Sequence, residues 1–210
     1  MGLSTDAEQR LTDGLAELGT PADPAVVAAL LRYLALLRTW NRAYNLTGIT
    51  GLEDMVVRHV LDSASARAYL AGSTVLDAGS GAGLPGVPLA VLDPARRFTL
   101  LDATGKKINF LHQVVKELRL SDVTLARARL EQWQPAQSFD TVICRALGTL
   151  AEFIALCGRF LAPAGRLVAM KGRRPAEELR AVSAPWRVAT VDRVTVPGLA
   201  AVRHIVVLEH

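Results

Sequence analysis

The sequence predicts a doubly wound α/β fold: a seven-stranded, mostly parallel sheet behind a helical N-terminal extension. Three observations carry this. After Gly72, short apolar runs alternate with helical patterns, as strands and crossover helices do in a parallel sheet. The first such strand runs into a glycine-rich loop. The last two strand-like runs are joined through Pro197-Gly198, with no room for a helix, so they can pair only antiparallel.

Residues 1–70 read as the helical extension and residues 71–210 as the main domain, the two forming one compact unit. Asp23-Pro24 is a cap with proline at the first helical position, and Val27, Leu30, Leu31, Leu34 and Leu37 follow at helical spacing. Trp40 to Thr50 reads as a polar loop. Leu52 to Leu70 reads as one helix turning Met55, Val56, Val60 and Leu61 to a core. Strands follow at Thr74–Asp77, Phe98–Asp102, Val123–Leu125, Phe139–Cys144 and Arg166–Met170, the last after a turn at Pro163 and Gly165. Helices are expected at Val87–Leu92, Lys106–Leu118, Leu150–Phe160 and Pro175–Val182. Trp186–Val194 and His204–Leu208 are the closing strands.

Half of the 210 residues are apolar, enough for a sizeable core. The longest apolar run, Ala25 to Leu31, is far too short to cross a bilayer, and no charged-then-apolar leader opens the chain. A cytoplasmic location without membrane attachment is the expectation. Cys144 and Cys157 are too few for a disulfide framework, and no metal-ligand spacing appears. The net charge of +4 is unevenly spread: residues 1–57 carry four basic and seven acidic side chains, residues 58–210 twenty and thirteen. That excess suits an anionic partner such as RNA, although surface charge kept for solubility gives the same pattern.

The run from Val75 to Gly83 leaves a strand, passes through glycines and enters a helix, at the sheet end where open α/β folds bind ligands. Gly81, Gly83 and Gly86 also spell a dinucleotide fingerprint, with Asp102 at the distance of a ribose-binding acid, so a nicotinamide-dependent oxidoreductase is a competing reading. Against it stand Asp77, placed to hold the ammonium of a methionine moiety, and the closing hairpin, which belongs to the common S-adenosylmethionine-dependent methyltransferase sheet. Asp102 ends the second strand, where an acid accepts from ribose hydroxyls or caps the next helix; Ala103-Thr104 borders the same nucleoside. Glu131 can accept from an adenine amine while Leu130 lines the ring, or be an ordinary loop acid, and spacing leaves the two level.

Trp40-Asn41-Arg42-Ala43-Tyr44-Asn45-Leu46-Thr47, Arg58-His59-Val60-Leu61-Asp62-Ser63 and Gly79-Ser80-Gly81-Ala82-Gly83-Leu84-Pro85-Gly86 are carried together. So are Asp102-Ala103-Thr104-Gly105-Lys106-Lys107, Cys144-Arg145-Ala146, Met170-Lys171-Gly172 and Arg203-His204. In combination they resemble the bacterial 16S rRNA guanine-N7 methyltransferase family, also called glucose-inhibited division protein B, from about residue 40 onward. Cys144 stands where that pattern often has serine, at a position expected to point into the sheet. The resemblance implies a monomeric class I, Rossmann-like methyltransferase acting on one guanine of 16S rRNA, in the free RNA or the small ribosomal subunit. S-adenosylmethionine is its implied cofactor and S-adenosylhomocysteine its product. It implies cofactor contacts at Gly79, Leu84, Asp102, Ala103, Thr104, Leu130, Glu131 and Arg145, with Gly81 in the same loop. Since guanine N7 has a lone pair and no proton, it implies direct transfer with no covalent intermediate and no residue as general base.

Arg145, at a strand end, suits a methionine carboxylate or a substrate phosphate; the plainer reading is a structural ion pair. Arg58, His59 and Asp62 share a helix face, either as RNA contacts or with Arg58 and Asp62 as a surface pair. Lys171, Arg173 and Arg174 cluster after the fifth strand and are candidate phosphate contacts. No Asn-Pro-Pro-Tyr segment, Pro-Cys nucleophile or phosphate-binding P-loop is present. A non-catalytic RNA-binding protein on the same fold is the remaining alternative.

Overall fold

In the computed structural model, which describes residues 5–210, the chain opens with helices α1 (Thr5–Glu17) and α2 (Pro24–Tyr44). Asp23 precedes α2 in extended backbone with Pro24 at the first turn, where the missing N–H costs nothing. α2 continues through Trp40 to Tyr44, where the sequence suggests a polar loop. Trp40 packs on Tyr44 and Phe110, and the amide of Asn41 satisfies the next turn. Its Nδ2 donates to Thr47 O at 2.9 Å, and its Oδ1 accepts from Thr47 N at 2.8 Å. One buried side chain thus closes the loop that follows the helix.

The single helix expected over 52–70 is broken into pieces. α3 (Leu52–Met55) passes into a π-helical segment (Val56–Leu61), then α4 (Asp62–Ala64) and a 3₁₀ turn (Arg67–Tyr69). Two serines explain part of the irregularity. Ser63 Oγ donates to His59 O at 2.5 Å and Ser65 Oγ to Asp62 O at 2.6 Å, so hydroxyls compete for carbonyls that a regular ladder would use.

The strands are β1 (Thr74–Ala78), β2 (Arg97–Asp102), β3 (Val123–Arg127), β4 (Phe139–Arg145), β5 (Leu161–Lys171), β6 (Arg187–Val194) and β7 (Arg203–Glu209). They lie in the order β3-β2-β1-β4-β5-β7-β6. β1 to β5 pair in parallel, and β7 is antiparallel to both its neighbours. The helices after the first strands are α5 (Gly86–Leu92) and α6 (Gly105–Leu118), and those of the second half are α7 (Leu150–Cys157) and α8 (Ala176–Arg180). Strand order reverses beside β1, which opens a crevice at its carboxyl end.

Two boundaries differ from expectation. Pro163 and Gly165 lie inside β5 and not before it. The pairing jumps from Phe139↔Leu161 to Thr141↔Arg166, so the turn is taken up as an irregularity within a paired strand. α7 ends at Cys157, and Gly158–Phe160 tightens into a 3₁₀ turn. Its start is firm: Thr149 and Glu152 form a reciprocal capping box.

The sheet's alternation splits the core. Val75, Phe98, Leu100, Ile143 and Val168 face one cluster with α1, α2, α5 and α6. Leu76, Leu101, Val142 and Cys144 face the other, with Phe153 and Cys157 of α7. Cys144 and Cys157 are buried free thiols, and burial pushes Cys157 up to about 12. Among the described residues no helix is long and apolar enough to cross a membrane.

Tyr33 ties the N-terminal helices to the sheet. Its fully buried hydroxyl donates to Ala82 O in the glycine loop at 2.9 Å. Tyr33→Phe keeps the ring and orphans that carbonyl, so it should lower the unfolding free energy by about 1 to 3 kcal/mol. Urea titration checks this; a midpoint equal to the parent's would mean that Ala82 O finds another donor.

Candidate active site

β1 ends at Ala78 and the loop turns at once. Gly79 and Gly81 have φ of 76° and 60°, conformations that cost a β-carbon. Two carboxylates hold the loop. Asp77, fully buried beneath it, accepts from Gly86 N through Oδ2 at 2.8 Å. Asp102, at the end of β2, accepts from Gly81 N through Oδ2 at 3.0 Å and from Thr104 N through Oδ1 at 2.8 Å. Lys107 Nζ stands 3.3 Å from the same Oδ2.

These placements correct two expectations. Asp77 does not present its carboxylate to a ligand ammonium: its place on β1 turns it toward Gly86, and its Oδ1 is buried without a partner. Burial is the main reason its pKa rises to about 7, offset in part by the Gly86 N–H and by Arg145. Nor does Asp102 cap α6. The helix begins at Gly105, so Thr104 occupies the cap position, and Asp102 meets this end of the chain through Thr104 N and the Lys107 ammonium, not as the cap.

Beside the loop lies a cavity of about 240 Å³. Gly79, Asp102, Ala103, Leu130 and Glu131 line it, closed by Leu147 and Leu156. A β-carbon on Gly79 would come within 3.4 Å of Leu147 Cδ1 and narrow it. Asp102 Oδ1 uses one of its two lone pairs on Thr104, which leaves it able to accept a hydroxyl. A carboxylate between leucine walls suits a ribose joined to a flat heterocycle, so the residues present fit the adenosine end of S-adenosylmethionine. Leu84 is elsewhere, buried in the core with its N–H on Ser80 O. Gly81 shapes the loop without lining the cavity, and Thr104 stands at the N-cap position of α6 with no side-chain capping bond.

Arg145 lines a second cavity, of about 430 Å³, with Ile49, Arg58, His59, Asp62, Met170 and Arg203 among its walls. Ala146, between Arg145 and Leu147, has φ of 61°, and this strained turn sends its two neighbours to different cavities. Arg145 Nη1 donates to Asp62 Oδ2 at 3.1 Å and to Arg58 O at 3.0 Å. Arg203 Nε donates to Asp62 Oδ1 at 2.6 Å. The surface Arg58–Asp62 pair, one of the two readings of this helix face, does not form: Arg58 turns outward to Asp54 at 3.7 Å, and Asp62 turns inward. His59 is also buried. Burial, then the charge of Arg145, pushes it down to about 4, so it stays neutral near pH 7.

The basic cluster divides. Lys171 Nζ donates to Gly148 O and Glu178 Oε2, both at 2.8 Å, and is committed to the fold. Arg173 and Arg174 are exposed and form no ion pair among the described residues. Sequence reasoning assigned no role to Arg203, Thr47, Tyr33 or Lys107. Thr47, Lys107 and Arg203 stand in motifs that carry the family resemblance, and Tyr33 stands as a tyrosine on an apolar helix face, but nothing in the sequence pairs any of them with a partner.

Asp77 gives a pH test. Its pKa in the fold lies above the usual 3.8, so its contribution favours the ligand-free fold at low pH and fades as pH rises to about 7. Asp77→Asn should therefore gain melting temperature over the parent between pH 5 and pH 8. A gap that does not change with pH would mean that another group titrates there.

A family model described as rRNA small subunit methyltransferase G (GidB) matches residues 26–206. The chain is 44% identical to the Ribosomal RNA small subunit methyltransferase G of Nitrosococcus oceani, over 96% of this chain and 94% of that one. It is 42% identical to the protein of that name from Stutzerimonas stutzeri, over 98% and 97%. Among solved structures it is similar to magnesium protoporphyrin IX methyltransferase from Synechocystis PCC 6803 with bound SAM, with TM-score 0.60, 18% identity and coverage of 85% and 97%. A SAM-dependent methyltransferase from Thiobacillus denitrificans in complex with S-adenosyl-L-homocysteine gives TM-score 0.53, 14% identity and coverage of 70% and 90%. Those two likenesses speak to the fold, which is that of class I methyltransferases. The match of sequence across nearly the whole chain goes further: this protein belongs to the rRNA small subunit methyltransferase G (GidB) family.

Proposed function

We propose that this chain binds S-adenosylmethionine in the cavity beside Gly79 and transfers its methyl group to N7 of one guanine in 16S rRNA, acting as a monomer in the cytoplasm. The observation that carries this reading is the Asp102 carboxylate, braced against the glycine loop and facing a leucine-walled cavity, in a chain of this family. Leu130 and Glu131 border the heterocycle, while Gly79 and Ala103 let backbone approach the nucleoside.

S-adenosylmethionine supplies an electrophilic methyl on a sulfonium, and guanine N7 offers a lone pair without a proton. The residues of this chain therefore have no proton to remove; they bind, orient and exclude water. Alignment of the reactants can supply about 7 to 11 kcal/mol of the barrier in favourable cases. His59, neutral and hydrogen-bonded to Thr47, fits such a site, since it gains no charge to place beside a guanine becoming cationic. Arg145 is held by Asp62 and serves as an anchor, not as a group touching N7.

Calorimetric titration with S-adenosylhomocysteine and with NAD, followed by mass spectrometry of methylated rRNA, tests the reading. Binding of the first alone and a single N7-methylguanine are expected; NAD binding, or RNA binding without methyl transfer, would favour the oxidoreductase or the non-catalytic alternative. At saturating cofactor, single-turnover transfer should be nearly flat between about pH 6.5 and 8.5, and a rate that follows one ionisation in that window would require a base.

Arg173 and Arg174 are the free members of the basic cluster. Replacing both with Gln should flatten the log–log dependence of RNA affinity on salt by about 0.7 to 0.9 for each phosphate that is no longer neutralised. An unaltered slope removes them from the RNA interface.

A further inference from the structure

The larger of these two cavities, at the carboxyl ends of β4 and β5, takes little part in the adenosine site and is built from four separate stretches of chain. We propose that it receives the target guanosine nucleotide, with Asp62 as the positioning residue that aims Arg145 and Arg203 at the nucleotide's phosphate and His59 as the donor that reads the base. This rests on the reading of guanine as methyl acceptor given above.

The first observation is the shared carboxylate. Asp62 is 2% exposed and takes Arg145 on one oxygen and Arg203 on the other. Two guanidiniums on one carboxylate leave a net positive charge facing the cavity. Arg145 spends Nη1 on Asp62 and Arg58 O, and Arg203 spends Nε on Asp62 and Nη1 on Val202 O. Among the described residues Nη2 of each makes no hydrogen bond, and neither does Nε of Arg145. Planar donors held at fixed angles are what a phosphate binds best. Ion pairing alone is a weak reason to bury this carboxylate, because desolvation offsets much of the attraction.

The second observation is independent. His59 lines the same cavity and is 3% exposed. Its Nε2 lies 2.9 Å from Thr47 Oγ1, which also accepts from Ile49 N at 3.2 Å. Thr47 Oγ1 keeps a second lone pair, so the contact fits either proton order; we place the hydroxyl proton toward Nε2 and the ring's own proton on Nδ1. Nδ1 is buried and forms no hydrogen bond of good geometry, its ring having only a weak contact with the Arg58 backbone. An unmet buried donor is a cost to the fold that an acceptor on a ligand removes. Guanine presents two acceptors on one edge, O6 and N7. A hydrogen bond from His59 to O6 leaves N7 beside it free for the methyl group. Adenine presents an amino donor at the O6 position, and two donors facing each other repel. Ile49 and Met170 supply apolar surface for the base. Arg145 and Leu147 are two residues apart on one strand end, which puts acceptor and donor cavities side by side.

The test measures S-adenosylhomocysteine affinity, thermal melting, and kcat and KM for rRNA methylation in Arg203→Gln, His59→Phe and His59→Asn. Arg203→Gln should raise KM for RNA by about tenfold or more while cofactor affinity stays within about twofold. His59→Phe should lower kcat by about tenfold, and His59→Asn, whose Nδ2 stands where Nδ1 stood, should recover most of that loss. Rescue by Asn separates a lost donor from a merely disturbed fold. In the parent, guanosine 5′-monophosphate should inhibit more strongly than adenosine 5′-monophosphate, by about fivefold, and His59→Phe should erase the difference. A parent chain that binds no S-adenosylhomocysteine overturns the functional reading and this one with it. An active parent that both nucleotides inhibit equally, or variants with parental KM and kcat, overturn the nucleotide site alone.

Discussion

The glycine loop after β1 has no regular hydrogen-bond ladder of its own, and two carboxylates supply what it lacks. Asp77 holds it from below through Gly86 N, and Asp102 holds it from the side through Gly81 N. The phenol of Tyr33 adds a third tie through Ala82 O. These bonds set where the loop leaves the sheet, and so the floor of the cavity beside Gly79. Bracing has a cost, because Asp77 is buried with one oxygen unmatched and its pKa climbs toward neutrality. The strain is kept where a ligand's approach needs an open backbone.

The N-terminal segments pack onto the sheet and reach the second cavity. α1 and α2 share a hydrophobic cluster with one face of the sheet. The stretch from Leu52 to Tyr69 carries Asp62 and His59 to the ends of β4 and β7. Its π-helical segment departs from a regular helix, and such departures recur at functional sites. Both side chains pointing into the cavity come from a run that is otherwise apolar. In a core helix those polar residues would be expensive; beside Arg145 and Arg203 they are matched, apart from Nδ1 of His59.

Electrostatics divides the basic residues by task. Arg145, Arg203 and Lys171 are engaged by Asp62 and Glu178 and keep fixed positions. Arg173 and Arg174 stay in solvent, where long side chains can follow a phosphate backbone. The charge excess of residues 58–210 thus includes both a preorganised part and an adaptable part, and only the second resembles the diffuse patch that composition suggests.

The sequence by itself determined the sheet, its closing hairpin, the glycine loop and the family. Each rests on short-range pattern: alternation of apolar runs, a cluster of glycines after a strand, and local motifs at set spacing. Asp102, Ala103, Leu130 and Glu131 were legible for the same reason, since they follow strand ends whose positions the pattern reveals. The tertiary structure decided which charges meet. Asp62 pairs with partners 83 and 141 residues away, not with its helical neighbour Arg58. It also separated Leu84 and Asp77 from the cavity, engaged Lys171 with Glu178, and divided the helix expected over 52–70 into short pieces. Spacing along a chain specifies neighbours within one element. The partner of a buried charge is specified by how elements pack, and that depends on the whole fold.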